Sequence, residues 1–226
     1  MGISRQPANK PMDTMLDYQK EFIAYALACE ALKFGEFQLK SGRISPYFFN
    51  SGLFNTGARL AKLGQFYAKT LIQADLPVDI LYGPAYKGIP LVSATAIAYA
   101  EITNTDIPYV FNRKEAKDHG EGGELVGAPL KGNVVIVDDV ITAGTSVRES
   151  VEIIKQAEAT PCAVLCALDR QEKGQNAISA IAEVTEKFGI PVLTIISLST
   201  IVDYLAEAGA QAEINTIKQY QKCYGV

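Results

Sequence analysis

VVIVDDVITAGTS, running from Val134 to Ser146, is the stretch whose reading decides the fold. Its four leading apolar residues read as a short strand buried on both faces, as strands of parallel sheets are. Two adjacent carboxylates, Asp138 and Asp139, close that strand. A turn of small residues follows and opens a helix whose apolar stripe is Val147, Val151 and Ile154. Strand, turn and helix together are half of a βαβ unit, so the rest of the chain should supply more of the same.

It does so on both sides. Runs from Val78 to Tyr82, Ile107 to Phe111, Ala163 to Leu168 and Val192 to Leu198 have the length and composition of further buried strands. Helical stretches from Leu91 to Ala100, Val147 to Ala157 and Ala177 to Phe188 fall between them. Two amphipathic helices come first. One lies between Leu16 and Phe34, on Ile23, Ala26, Leu27, Ala31 and Leu32, and the other is marked by Leu60, Leu63, Phe66, Tyr67 and Leu71. This alternation predicts an α/β fold, a central parallel sheet flanked by helices on both faces. Ligands of such sheets bind beyond the carboxyl ends of the strands, which directs attention to three loops.

Composition removes several alternatives. With 226 residues, 48% apolar and 20% charged, the chain can bury a sizeable core and is not disordered. A net charge of −4 gives no reason to expect a nucleic acid partner. Apolar runs fall well short of the roughly 18 residues of a membrane span. Residues 1–14 carry Arg5 and Lys10 without an apolar stretch after them, which predicts a flexible N-terminal extension ahead of a single domain over 15–226. Cys162 and Cys166 lie about 13 Å apart along one strand and cannot bridge within it. One histidine and no CxxC pair leave no zinc site. Free thiols and a cytoplasmic location are the expectation.

The first of the three loops is the acidic one. Backbone N–H groups from Thr142 to Thr145 can wrap an anion at a helix N-terminus, and small side chains allow close approach. Ser146 and Glu149 have capping-box spacing. A cap leaves Asp138 and Asp139 unexplained, because adjacent like charges need a cation or ligand hydroxyls to receive them. The second loop, GPAYKGIP from Gly83, has the glycine spacing of a nucleotide-triphosphate loop, but Ile89 and Pro90 replace its Lys and Ser/Thr. What remains is a tight turn with one ammonium, Lys87, suited to pyrophosphate. The third, Arg113 to Glu124, combines Arg113, Lys114, Lys117 and His119 with three glycines and reads as a mobile basic lid.

A strand, Asp-Asp, two spacers and Thr-Ala-Gly-Thr resemble the signature of the type I phosphoribosyltransferases. FGEFQLKSGRISPYFFNSG from Phe34, RKEAKDHGEGG from Arg113 and LDRQE from Leu168 resemble, within that family, the orotate phosphoribosyltransferases. The resemblance runs from about Met15 nearly to the C-terminus, which points to Met15 as the start of the original reading frame. It implies a type I phosphoribosyltransferase fold with a small N-terminal hood mainly from about 15 to 55. The implied reaction transfers the ribose 5-phosphate group of phosphoribosyl pyrophosphate (PRPP) to orotate, giving orotidine 5-phosphate and pyrophosphate, with Mg2+ held mainly by PRPP and no confident direct protein ligand.

By the same resemblance Asp138 and Asp139 take the ribose hydroxyls, and Val140, Ile141, Thr142, Ala143, Gly144, Thr145 and Ser146 form the 5-phosphate loop. Lys40, Tyr86, Lys87, Arg113, Lys114, Lys117 and His119 complete the PRPP site, and Lys117 is the chief catalytic candidate. Phe48 and Phe49 flank orotate, Thr142 adds a bond to it, and Arg170 reads its carboxylate. The lid 113–124 serves the neighbouring subunit's site in a homodimer. A salvage enzyme for another base would share the Asp-Asp loop but has no need of Arg170. A PRPP-sensing regulator that binds nucleic acid fits neither the charge nor the lid.

Overall fold

In the computed structural model, which describes residues 15–39, 42–117, 123–141, 144–174 and 178–226, the run around Val134 is a central strand. Eight strands are present among these residues: β1 (Leu32–Gln38), β2 (Ile44–Phe49), β3 (Ile80–Gly83), β4 (Tyr109–Lys117), β5 (Gly123–Gly127), β6 (Asn133–Val137), β7 (Thr160–Asp169) and β8 (Val192–Ser197). The helices are α1 (Asp17–Ala28), α2 (Gly57–Ala74), α3 (Gly88–Thr103), α4 (Thr145–Gln156), α5 (Ala180–Phe188), α6 (Leu198–Glu207) and α7 (Gln211–Tyr224). The main sheet has the order β5-β4-β3-β6-β7-β8. Its strands are parallel except β5, which closes one edge antiparallel to β4.

Alternation along the strands divides the core in two. Leu81, Val135, Val137 and Leu165 pack against α1, α2, α3, α6 and α7, whereas Ile80, Tyr82, Ile136 and Val164 pack against α4 and α5. Five helices on one face and two on the other leave the β4–β5 edge without a covering helix on the α4 side. A cavity of about 600 Å³ lies there, lined by Arg113, Lys114, Ser146 and Glu149 among others.

Three expectations change. The first helix stops at Ala28 and not near Phe34, because Glu30 takes a left-handed turn (φ 58°) and Leu32 and Phe34 then pair with Phe49 and Tyr47 in an antiparallel hairpin. Apolar residues at 31, 32 and 34 fit either a helix stripe or a strand face, and the long-range pairing decides. Leu198 belongs to α6, since Ser197 caps that helix in a reciprocal arrangement with Thr200. The strand after Ile107 runs on to Lys117, so the arms of the segment read as a loop are strands β4 and β5.

Candidate active site

The backbone of the acidic pair stays tied to β7. Asp138 N–H donates to the Leu165 carbonyl (3.0 Å) and Ala167 N–H to the Asp139 carbonyl (2.8 Å). Both carboxylates therefore sit rigidly at the carboxyl end of a central strand, yet their surroundings differ. Asp138 is only 9% exposed: its Oδ1 accepts from Asp139 N–H and its Oδ2 from the Ser146 hydroxyl, each at 2.8 Å, while the buried Tyr67 hydroxyl donates to its carbonyl at 2.9 Å. Burial pushes the Asp138 carboxyl above its ordinary pKa, those two side-chain bonds pull it back in part, and the neighbouring Asp139 charge adds to the rise. Asp139 faces outward. Its Oδ2 accepts from the Ser51 hydroxyl at 3.1 Å and is paired with the Lys87 ammonium.

The Ser146 bond overturns the capping-box expectation. The cap of α4 is Gly144, in the left-handed region at φ 66°, and among the described residues no side chain caps the helix. Ser146 lies inside the first turn, where its hydroxyl is taken by Asp138 instead. A left-handed residue ahead of a helix turns successive N–H groups toward one side, as anion-binding turns require.

Lys87 reaches Asp139 because the end of β3 and the start of α3 touch. A Cβ on Gly83 would stand 2.4 Å from the Gly88 carbonyl oxygen, and one on Gly88 would stand 2.6 Å from Pro84 Cδ. Both glycines are thus required by close packing. The Asn112 side chain, on β4, accepts from Ala85 N–H at 2.8 Å and holds the turn from the other side. Tyr86 is 70% exposed, and the Lys114 ammonium lies 5.7 Å from its ring centroid. Lys87 also lines, with Ser51 and Gly52, a cavity of about 380 Å³ between the sheet end and the segment after β2.

Arg170 follows β7 and points into the hood. Its guanidinium is 4.6 Å from the Tyr47 ring centroid and paired with Glu172 at 2.8 Å. It shares a small cleft with Ile141, which places it beside the turn between β6 and α4. The two phenylalanines separate. Phe49 is buried, its ring 6.4 Å from that of Phe22, while Phe48 is exposed and stacks on Phe37 at 5.5 Å. Successive side chains of a strand point to opposite faces, so both rings cannot flank one planar ligand. That expectation is corrected: Phe49 is a core residue, and Phe48 is the ring left available.

Of the remaining sequence candidates, Val140 packs against the five-helix core, Ile141 against the other, and Thr145 opens α4. Arg113 lies on β4, and Lys117 ends that strand. Lys40, His119, Thr142 and Ala143 lie outside the described residues, as does the extension 1–14. Sequence reasoning missed Ser51, Tyr67 and Asn112. Tyr67 was visible only as part of a helix stripe, and nothing local marked Ser51. Asn112, an amide interrupting the apolar run before Arg113, was the one available signal.

A parallel sheet whose central strand ends in an acidic pair, turns through a left-handed residue and enters a helix is the arrangement of the phosphoribosyl transferase domain, and that family matches residues 52–192. An orotate phosphoribosyltransferase of Methylococcus capsulatus is 62% identical over 211 residues, covering 93% of this chain and 99% of that relative. One from Proteus mirabilis is 60% identical, covering 94% of this chain and all of its own length. The crystal structure of an orotate phosphoribosyltransferase from Francisella tularensis superposes with a TM-score of 0.84 at 47% identity, over 91% of this chain and all of that one. The chain belongs to the orotate phosphoribosyltransferase family.

Proposed function

We propose that the chain transfers the ribose 5-phosphate group of PRPP to orotate, releasing pyrophosphate and orotidine 5-phosphate. The observation that carries this reading is the meeting of Lys87 and Asp139 across the ends of adjacent strands β3 and β6, with Arg170 beyond the end of β7. A ring nitrogen of orotate bonds to C1 of the ribose as the bond from C1 to pyrophosphate breaks, and the proton that nitrogen carried is released to solvent or to the departing pyrophosphate. Positive charge develops on the ribose and negative charge on the leaving group, so positioning and electrostatics can supply most of the acceleration.

Asp139, freed from Lys87 when substrate enters, accepts from the ribose hydroxyls, and Asp138 braces the turn that receives the 5-phosphate. Lys87, Tyr86, Arg113, Lys114 and the lid residues Lys117 and His119 gather at the pyrophosphate, with Lys40 from the hood. Arg170 meets the orotate carboxylate, while the Phe48 ring and the backbone of β2 border the base. Among the described residues no cluster of three His, Cys, Asp or Glu could hold a metal ion. In this reading a magnesium ion is carried mainly by substrate oxygens and would neutralise pyrophosphate charge when bound.

Residues 15–226 act as one catalytic domain in this reading, with the hood as its N-terminal part. α3 is apolar on its outer side as well as its inner, with Ile97 61% and Ile102 46% exposed. That side suits a second copy of the chain, and in the homodimer of this reading the lid works in trans. No described helix is long and apolar enough to cross a membrane, and a cytoplasmic location belongs to the same reading. A coupled assay with orotate and PRPP, with and without Mg2+ and alongside uracil and purine bases, tests the reading. Product formation confined to orotate, and dependent on the metal, is expected. Turnover of another base in preference to orotate would overturn it.

A further inference from the structure

Arg170 is already engaged by a carboxylate of the chain itself. Its Nε donates to Glu172 Oε1 at 3.0 Å, and its Nη2 lies 2.8 Å from the same oxygen. Nη2 also reaches the Ser45 hydroxyl at 3.5 Å. Nη1 takes part in none of these contacts, and the Tyr220 hydroxyl stands close to both Arg170 and Glu172. The edge formed by Nε and Nη2, the usual fork for a carboxylate, is therefore occupied.

Glu172 is itself held from several sides. The Tyr47 hydroxyl donates to its Oε1 at 2.9 Å, and Arg43 Nη1 stands 3.7 Å from its Oε2. Its side chain is 11% exposed, so these pairings are weakly screened by solvent. The surrounding loop is anchored as well. Lys173 N–H donates to the Tyr224 carbonyl at 2.8 Å, and Glu172 bridges to Gly225, joining the loop to the end of α7. Three segments of the chain distant in sequence thus converge on one carboxylate whose partner is the arginine assigned to the base.

We propose that Glu172 is the positioning residue that fixes the Arg170 guanidinium for the substrate carboxylate, occupying its Nε–Nη2 edge and leaving the Nη1 end to meet orotate. The inference rests on the assignment of Arg170 as carboxylate reader made above. Two consequences separate it from a merely structural tie. Loosening Glu172 should weaken orotate and spare PRPP, and its effect should vanish once Arg170 is gone.

The test compares Glu172→Gln, Tyr47→Phe, Arg170→Ala and the double variant Arg170→Ala/Glu172→Gln in the full chain, reading KM for each substrate, kcat and Tm. Glu172→Gln keeps an acceptor oxygen but removes the charge, and KM for orotate should rise roughly 10-fold with KM for PRPP changed less than about 2-fold. Tyr47→Phe, which withdraws one bond from Glu172 without altering ring packing, should raise the orotate KM by about 3-fold and keeps the test open if Glu172→Gln folds poorly. The double variant should be no worse than Arg170→Ala. Equal changes in both KM values, no change in either single variant, or additive losses in the double variant would overturn the proposal. If Arg170→Ala itself leaves the orotate KM unaltered, the assignment of Arg170 fails; if only the Glu172 and Tyr47 variants are silent, that assignment stands and this inference alone fails.

Discussion

The end of the site proposed to receive phosphate and the end proposed to receive the base are built in different ways. Asp138 and Ser146, bonded to each other, are 8 positions apart in the chain, whereas Tyr47 and Glu172 are 125 apart. One end is a property of a single strand–turn–helix unit, in which backbone geometry does the work. The other is a side-chain network that exists only after the hood, the loop behind β7 and α7 have come together. In the proposed reading the 5-phosphate is received by that local turn, with Lys87 joining it from the β3–α3 junction, while choice of base depends on the assembled domain. Changes at the first end should alter PRPP kinetics with little effect beyond the site, and changes at the second should alter base selection.

The largest effect is expected from Lys117→Ala, which withdraws a cation from the departing pyrophosphate and should lower kcat by roughly 100- to 1,000-fold. Mixing that impaired chain with Asp139→Asn chains, assayed at a PRPP concentration too low for Asp139→Asn alone to turn over appreciably, sharpens the point. In a mixed dimer with trans-acting lids one site has both wild-type residues, and about a quarter of all sites should regain activity after random exchange. No recovery once exchange is confirmed by mass would place the lid in its own subunit. Asp139→Asn alone should raise KM for PRPP about 10- to 100-fold, since an amide receives hydroxyls less strongly than a carboxylate. Unchanged PRPP kinetics would remove Asp139 from the ribose.

Smaller effects fall on stability. Gly88→Ala puts a methyl 2.6 Å from Pro84 Cδ and 2.9 Å from the Val137 carbonyl oxygen, so the β3–α3 junction must open. A loss of about 1–3 kcal/mol is expected, visible as a Tm lower by about 3–10 °C. Asp138→Asn should act the opposite way. Burial raises the Asp138 pKa in the folded state, so its ionisation costs stability progressively as pH rises from the unfolded value through the folded one. The amide avoids that cost and can still accept from Asp139 N–H. Its Tm should exceed that of the parent by about 2 °C at pH 8, with the gain gone near pH 4. A gain that grows toward acid would contradict the burial argument.

The same contrast explains what could be read from the sequence. Strands β3, β6, β7 and β8 and the acidic turn were legible because buried parallel strands are short continuous apolar runs, and the turn's chemistry is written in consecutive residues. The start of β1 was misread as the tail of a helix because Ala31, Leu32 and Phe34 fit both periods and only pairing with Phe49 and Tyr47 chooses between them, and β2 went unassigned. β5, α6 and α7 went unassigned. α7 buries only Ile214, Ile217 and Tyr220, a thin stripe in a polar segment. In the candidate site, Lys87, Asp138, Asp139 and Arg170 were found by motif, but the unlike environments of the two aspartates were not. These come from Tyr67, Ser51 and Lys87, which lie on other elements.

The division of labour between the two ends is tested most directly by measuring KM for both substrates in Asp139→Asn and Arg170→Ala side by side. Asp139→Asn should raise KM for PRPP and leave that for orotate within about 2-fold. Arg170→Ala should raise KM for orotate by about 100-fold, as the loss of a buried charged partner costs several kcal/mol, and leave PRPP nearly unaffected. If both variants weakened the same substrate, or each weakened both alike, the separation into a phosphate end and a base end would be wrong.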